Sequence, residues 1–165
     1  MSRSGYSDDC DGWALIRWRG AVKSAIRGAR GQAMLRELIQ ALDALPEKRL
    51  AADSLVTADG EYCTLGALGR ARGIDLTAID PDDRRAVADA FGVAEALAAE
   101  IMFENDESAA DKWDWIDVEI CGPMRDHWRE KHTKSVRVPN SREAEQRWSA
   151  MREWALSHLI DGETR

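Results

Sequence analysis

Apolar residues recur every three or four positions through most of this chain, and then, over one segment, every two. Trp13, Ile16, Ala21, Val22, Ala25 and Ile26 stand at helical spacing, with Arg17, Arg19 and Lys23 between them. Asp11 is placed to cap that helix near Gly12. Gly28 and Gly31 interrupt the pattern. Met34, Leu35, Leu38, Ile39, Leu42 and Leu45 then form a second stripe that Pro46 ends. The spacing predicts two helices, paired antiparallel. Residues 50–62 have no clear period. Leu55-Val56 and Tyr62-Cys63 flank the turn signal Ala58-Asp59-Gly60, and a short hairpin is one reading.

From Cys63 to Gly73 the small residues Gly66, Ala67, Gly69 and Ala71 predict a short helix that another backbone approaches closely. Asp80-Pro81-Asp82-Asp83 reads as a helix start, with Val87, Ala90 and Phe91 on the apolar side and Gly92 ending it. Val93 to Phe103 reads as another helix, with Leu97, Ala98, Ile101 and Met102 inward. At Trp113 the period falls to two, the strand spacing. Ile116, Val118 and Ile120 share one face, expected to serve the core. Trp113, Trp115, Asp117 and Glu119 share the other. Val136 and Val138 predict the partner strand. Ser141 is placed to cap a last helix carrying Ala144, Trp148, Met151, Ala155 and Leu159 on one side. Its stripe and that of the first helices are expected to pack together.

The pattern as a whole predicts a mostly α-helical α+β fold of five or six helices with a small β-hairpin near 113–138. At 165 residues a single domain is expected over 1–165, with 112–139 as an inserted hairpin. Residues 1–11 are polar and expected to fray.

Charge adds a direction. Thirty acidic residues stand against twenty-three basic ones, which disfavours non-specific binding to nucleic acid. Residues 51–107 carry four Lys/Arg and thirteen Asp/Glu, so −9. Residues 1–50 carry nine and six, so +3. An acidic middle suits a partner with a basic surface. The N-terminus shows no apolar signal segment and no apolar run of membrane-spanning length. The three widely spaced cysteines, Cys10, Cys63 and Cys121, suit a reduced, cytoplasmic protein.

Candidate chemistry is sparse. No nucleophile elbow, phosphate loop or dinucleotide fingerprint occurs, so no catalytic residue and no cofactor is expected. Cys63, followed by Thr-Leu-Gly-Ala, is expected to pack inside. Cys121, His127 and His132 offer three zinc ligands without an evident fourth, so stoichiometric zinc is not expected. Asp106, Glu107, Asp111, Asp114, Asp117 and Glu119 are oxygen donors without EF-hand spacing, and a solvated acidic face is the simpler reading. Asn105-Asp106-Glu107 is expected to serve structure at a helix end. Of seven tryptophans, Trp13, Trp148 and Trp154 fit core stripes. Trp18, Trp113, Trp115 and Trp128 have charged neighbours and suit a contact surface.

Several runs of residues resemble a group of small uncharacterised proteins encoded by bacteriophages and prophages. They are Arg30-Gly31-Gln32-Ala33-Met34-Leu35-Arg36-Glu37-Leu38, Ala41-Leu42-Asp43-Ala44-Leu45-Pro46, Cys63-Thr64-Leu65-Gly66-Ala67, Phe91-Gly92-Val93-Ala94, Glu104-Asn105-Asp106-Glu107 and the closing Arg147-Trp148 with Met151-Arg152 and Trp154. The likeness covers most of the chain, with 112–139 as a variable insertion. It implies a phage accessory protein in the host cytosol that binds and inhibits a host or defence complex, anti-CRISPR proteins included. Occlusion or mimicry of nucleic-acid charge would be its mechanism. The partner-binding residues expected are Trp113, Asp114, Trp115, Asp117, Glu119 and Trp128. A metal-dependent enzyme using the carboxylates of 104–119 with His127 or His132 is one alternative, and a virion component is another.

Overall fold

The computed structural model describes residues 3–5, 12–120 and 133–160. Among these are six α-helices and one two-stranded antiparallel sheet, a mostly helical α+β fold. The helices are α1 (Gly12–Arg27), α2 (Ala29–Ala44), α3 (Thr64–Arg72), α4 (Arg84–Phe91), α5 (Glu95–Phe103) and α6 (Glu143–Ser157). The strands are β1 (Trp113–Glu119) and β2 (Thr133–Pro139). No helix among the described residues is long and apolar enough to cross a membrane.

The core gathers around α2, whose Met34, Leu35, Leu38, Ala41 and Leu42 are buried as the stripe predicts. Leu65 and Leu68 of α3, Val87 and Phe91 of α4, and Leu97, Ile101 and Met102 of α5 complete it with Met151 and Ala155 of α6. The expected packing of the first helices on the last is present. Gln32, buried at the start of α2, donates to Ile26 O and His158 O at 2.9 Å and accepts from Ile160 N at 2.8 Å. One side chain thus ties three helix ends together. Trp148 Nε1 donates to Leu42 O at 3.0 Å, and Arg152 pairs with Asp43 at 2.6 Å.

Close approach explains the small residues of α3. A side chain at Gly66 would put its first carbon 1.8 Å from Leu55 O. The neighbouring segment makes one antiparallel bridge, Val56 with Tyr62, which is the short hairpin in its minimal form.

Several expectations are corrected. Helix α4 starts at Arg84, because Asp83 is its cap, accepting from Arg85 N and Ala86 N at 3.0 Å. Asp80 instead closes the preceding turn through Asp82 N. Ala88, not Ala90, joins Val87 and Phe91 inside. Gly92 ends α4 at φ 68°, a left-handed position glycine accepts without strain, and α5 follows only at Glu95. The turn into α6 is closed by Asn140, whose Oδ1 accepts from Arg142 N at 2.9 Å, and not by Ser141. On α1 the inward face is Val22 and Ile26, while Trp13 and Ile16 point to solvent. Asp11, the expected cap, lies outside the described residues. Of residues 1–11, expected to fray, Arg3 and Ser4 are buried, and all but 3–5 lie outside the described residues.

Candidate functional site

Two places in the molecule concentrate chemistry that packing alone does not require: the β-ribbon, and a polar knot behind α5.

Strand β1 pairs with β2 in the register Trp113 with Pro139, Trp115 with Arg137, Ile116 with Val136, Val118 with Lys134 and Glu119 with Thr133. Directly opposed residues share a face. One face carries Trp113, Trp115, Asp117, Glu119, Thr133, Ser135 and Arg137. The other carries Asp114, Ile116, Val118, Lys134, Val136 and Val138. The alternation is as predicted, but the aliphatic face does not serve the core. Ile116 is 45% exposed, Val118 38% and the adjoining Ile120 44%. The indole face is open too, with Trp113 at 46% and Trp115 at 70%. Among the described elements, each strand packs chiefly on the other, with little packing against the helices. A two-stranded ribbon on its own is marginal in water.

The register also corrects the local charge. Read along the chain, this segment has few bases among its acids. Pairing adds two bases from β2: Arg137 on the face of Asp117 and Glu119, and Lys134 on the face of Asp114, at its far end. The Arg137 guanidinium lies 4.4 Å from the centre of the Trp113 ring, a cation–π contact that covers one indole and leaves Trp115 the more open. Ser135 Oγ donates to Asp117. The ribbon's base is fixed by Asn140. Its Nδ2 donates to Asp111 O at 2.8 Å and to Gln146 Oε1 at 2.7 Å, and its amide donates to Lys112 O at 3.1 Å.

The remaining expected contact residues fall differently. Trp18 is half-buried against the core, and Trp128 lies outside the described residues, as do Cys121, His127 and His132. The carboxylates of 104–119 are not brought together. Asp106 is buried, and Asp114 faces away from Asp117 and Glu119. Among the described residues no three His, Cys, Asp or Glu side chains gather as metal ligands.

The knot sits where α5 runs into one turn of π-helix, Glu104–Ser108, a rare widening often found at functional sites. Asn105 Oδ1 accepts from Thr64 N at 3.0 Å and Thr64 Oγ1 at 2.7 Å. Its Nδ2 donates to Ala51 O at 2.9 Å and Asp106 Oδ1 at 2.7 Å. Asp106 accepts from Arg3 Nε at 2.8 Å and from Asp53 N at 3.1 Å. Arg147, buried on α6, donates to Asn105 O at 2.8 Å and Leu50 O at 2.9 Å, and pairs with Glu143. Cys63 lies beside Arg3. Burial pushes its thiol pKa up, against the pull of that guanidinium. For Arg3, burial alone would lower the pKa, but its charged and hydrogen-bonding surroundings, the Asp106 carboxylate among them, outweigh it and hold the charge more firmly. A buried thiol kept protonated is a poor nucleophile. The knot is structural in what it does to the backbone: it joins the N-terminus, the 50–56 loop, α3, α5 and α6. Sequence reasoning anticipated a structural role for Asn105-Asp106. It missed Arg3, whose partner is 103 positions away.

Helix α1 offers a further surface. Trp13, 76% exposed, and Ile16 lie on a helix with no acidic residue, beside Arg17, Arg19 and Lys23. Arg19, Lys23 and Arg27 border a groove of about 430 Å³ whose floor is Val22, Ile26 and Leu159. No known protein family, curated protein or solved structure matches the chain.

Proposed function

We propose that this is a binding protein that acts without chemistry of its own, docking a basic protein surface on the ribbon face that carries Trp113, Trp115, Asp117 and Glu119. The observation that supports it most is Trp115, an indole held 70% exposed on an ordered strand. Interface hot spots favour tryptophan, and adjacent carboxylates steer a cationic partner. The burial that raises the Cys63 pKa also weighs against a thiol enzyme. In its fuller form the proposal is a phage accessory protein that inhibits a host or defence complex by occlusion or charge mimicry. The resemblance of the helical segments to phage-encoded proteins supports that form.

The test uses immobilised protein and bacterial lysate, with retained proteins identified by mass spectrometry and their affinity then measured. Trp115→Ala should weaken binding about thirty-fold, the equivalent of a 2 kcal/mol hot spot. Asp117→Lys should slow association, more so at low salt. Equal retention by all three proteins overturns the proposal.

A further inference from the structure

We infer that the opposite, aliphatic face of the ribbon is a self-association surface whose occupant is a second copy of this chain. The inference does not depend on what the indole face binds.

That face has three rows: Asp114 beside Val138, Ile116 beside Val136, and Val118 beside Lys134. An aliphatic centre is thus framed by one acid and one base at diagonally opposite corners. Ile116 and Val118 are exposed, with Val136 and Val138 partly so. Neither Asp114 nor Lys134 has an ion-pair partner among the described residues. Two opposite charges left uncompensated at the corners of an apolar patch match a partner bearing the same pair reversed. The same patch turned over is such a partner.

The geometry admits a closed pair. Two-fold symmetry requires that if Asp114 of one copy meets Lys134 of the other, the reverse contact forms as well. Strands lie ~4.8 Å apart and rise ~3.4 Å per residue, which places the two corners ~14 Å apart along the diagonal. A two-fold axis passing between Ile116 and Val136, with the ribbons crossing at about 40°, then sets each acid over the other copy's base. Face-to-face sheets prefer an angle of about 30°, so this arrangement is close to an ordinary one. It buries Ile116, Val118, Val136 and Val138 of both copies between the ribbons and leaves both indole faces outward. Two short ribbons make a small contact, so the dimer is weak and concentration-dependent.

The experiment measures mass by sedimentation equilibrium up to about millimolar chain, a range that captures weak dimers. Wild type should pass from monomer to dimer. Asp114→Lys and Lys134→Asp should each weaken self-association about tenfold or more, because each sets like charges together. The double variant, Asp114→Lys with Lys134→Asp, should recover it. An equimolar mixture of the two single variants should form a heterodimer where neither dimerises alone, since their corner charges are complementary. Trp115→Ala should dimerise like wild type. All three altered residues are on the surface, and circular dichroism matching wild type confirms the fold. A wild type monomeric throughout overturns the inference. So does a double variant no better than the singles, or growth beyond two copies, since a closed two-fold stops at two.

Discussion

Leu38 and Leu42 on α2 have no contact with water, while Ile116, Val118 and Trp115 on β1 remain open to it, although apolar residues recur with equal regularity in both elements. The difference lies in what surrounds them. Helix α2 is enclosed by α1, α3 and α6, and its polar groups are drawn into the same closure, as Gln32 shows. The ribbon has no such surroundings among the described elements. Its inward candidates are strand residues on a projection held at its base by Asn140. The comparison teaches that amphipathic pattern selects a side, and that only a covering neighbour makes that side a core. Where the neighbour is absent, the pattern remains as a surface able to receive one.

The sharpest way to break this contrast is to open the body at its knot. Asn105→Ala leaves Thr64 N and Ala51 O buried without partners, and each such group costs about 1–3 kcal/mol. A loss of about 3 kcal/mol or more in urea denaturation is expected. A loss under about 1 kcal/mol would mean water reaches the site. Next is Trp148→Ala, which removes a half-buried indole and its bond to Leu42 O. Fully buried tryptophans cost about 3–5 kcal/mol, so about 2–3 kcal/mol is expected here. On the ribbon the expectation reverses. Trp115→Ala should change stability by less than about 0.5 kcal/mol, measured beside its loss of binding. A clear fall in melting temperature would place that indole with the body after all.

The smallest effect is electrostatic. Asp43 is held below its ordinary pKa, first by its hydrogen bond to Arg152. A carboxylate with a depressed folded-state pKa stabilises the fold above its unfolded pKa and loses that contribution as pH falls through the folded value. Asp43→Asn should therefore lower the melting temperature slightly at neutral pH, with the difference vanishing under strongly acidic conditions. A difference that persists there would assign the effect to packing.

The helices were legible because their stripes are long and their ends are marked, as at Gly92 and Pro46. Their exact starts were less so. Two aspartates compete for one cap at α4, and Asn140 beside Ser141 offers two capping side chains for one turn. Trp13 and Ile16 misled because spacing defines a face without saying where along the helix its partner stops. The ribbon's alternation was legible, but alternation assigns residues to two faces and is silent on which is covered. A structural role for Asn105-Asp106 was legible, but the assembly of the knot was not. Its members come from positions 3, 63, 64, 105, 106 and 147, and no local period links them.

The hydrogen bond from Asn140 N to Lys112 O has a consequence for how such a protein changes over time. Asn140 N lies 3.1 Å from Lys112 O, so the backbone rejoins the helical body close to where it left it. Doubling the length of a flexible loop costs only about 0.6 kcal/mol of closure entropy. The two strands are in that sense socketed: a change of length beyond the closed junction adds little closure entropy. A lineage under pressure to meet new counterparts could vary its reach at this junction and leave its foundation alone.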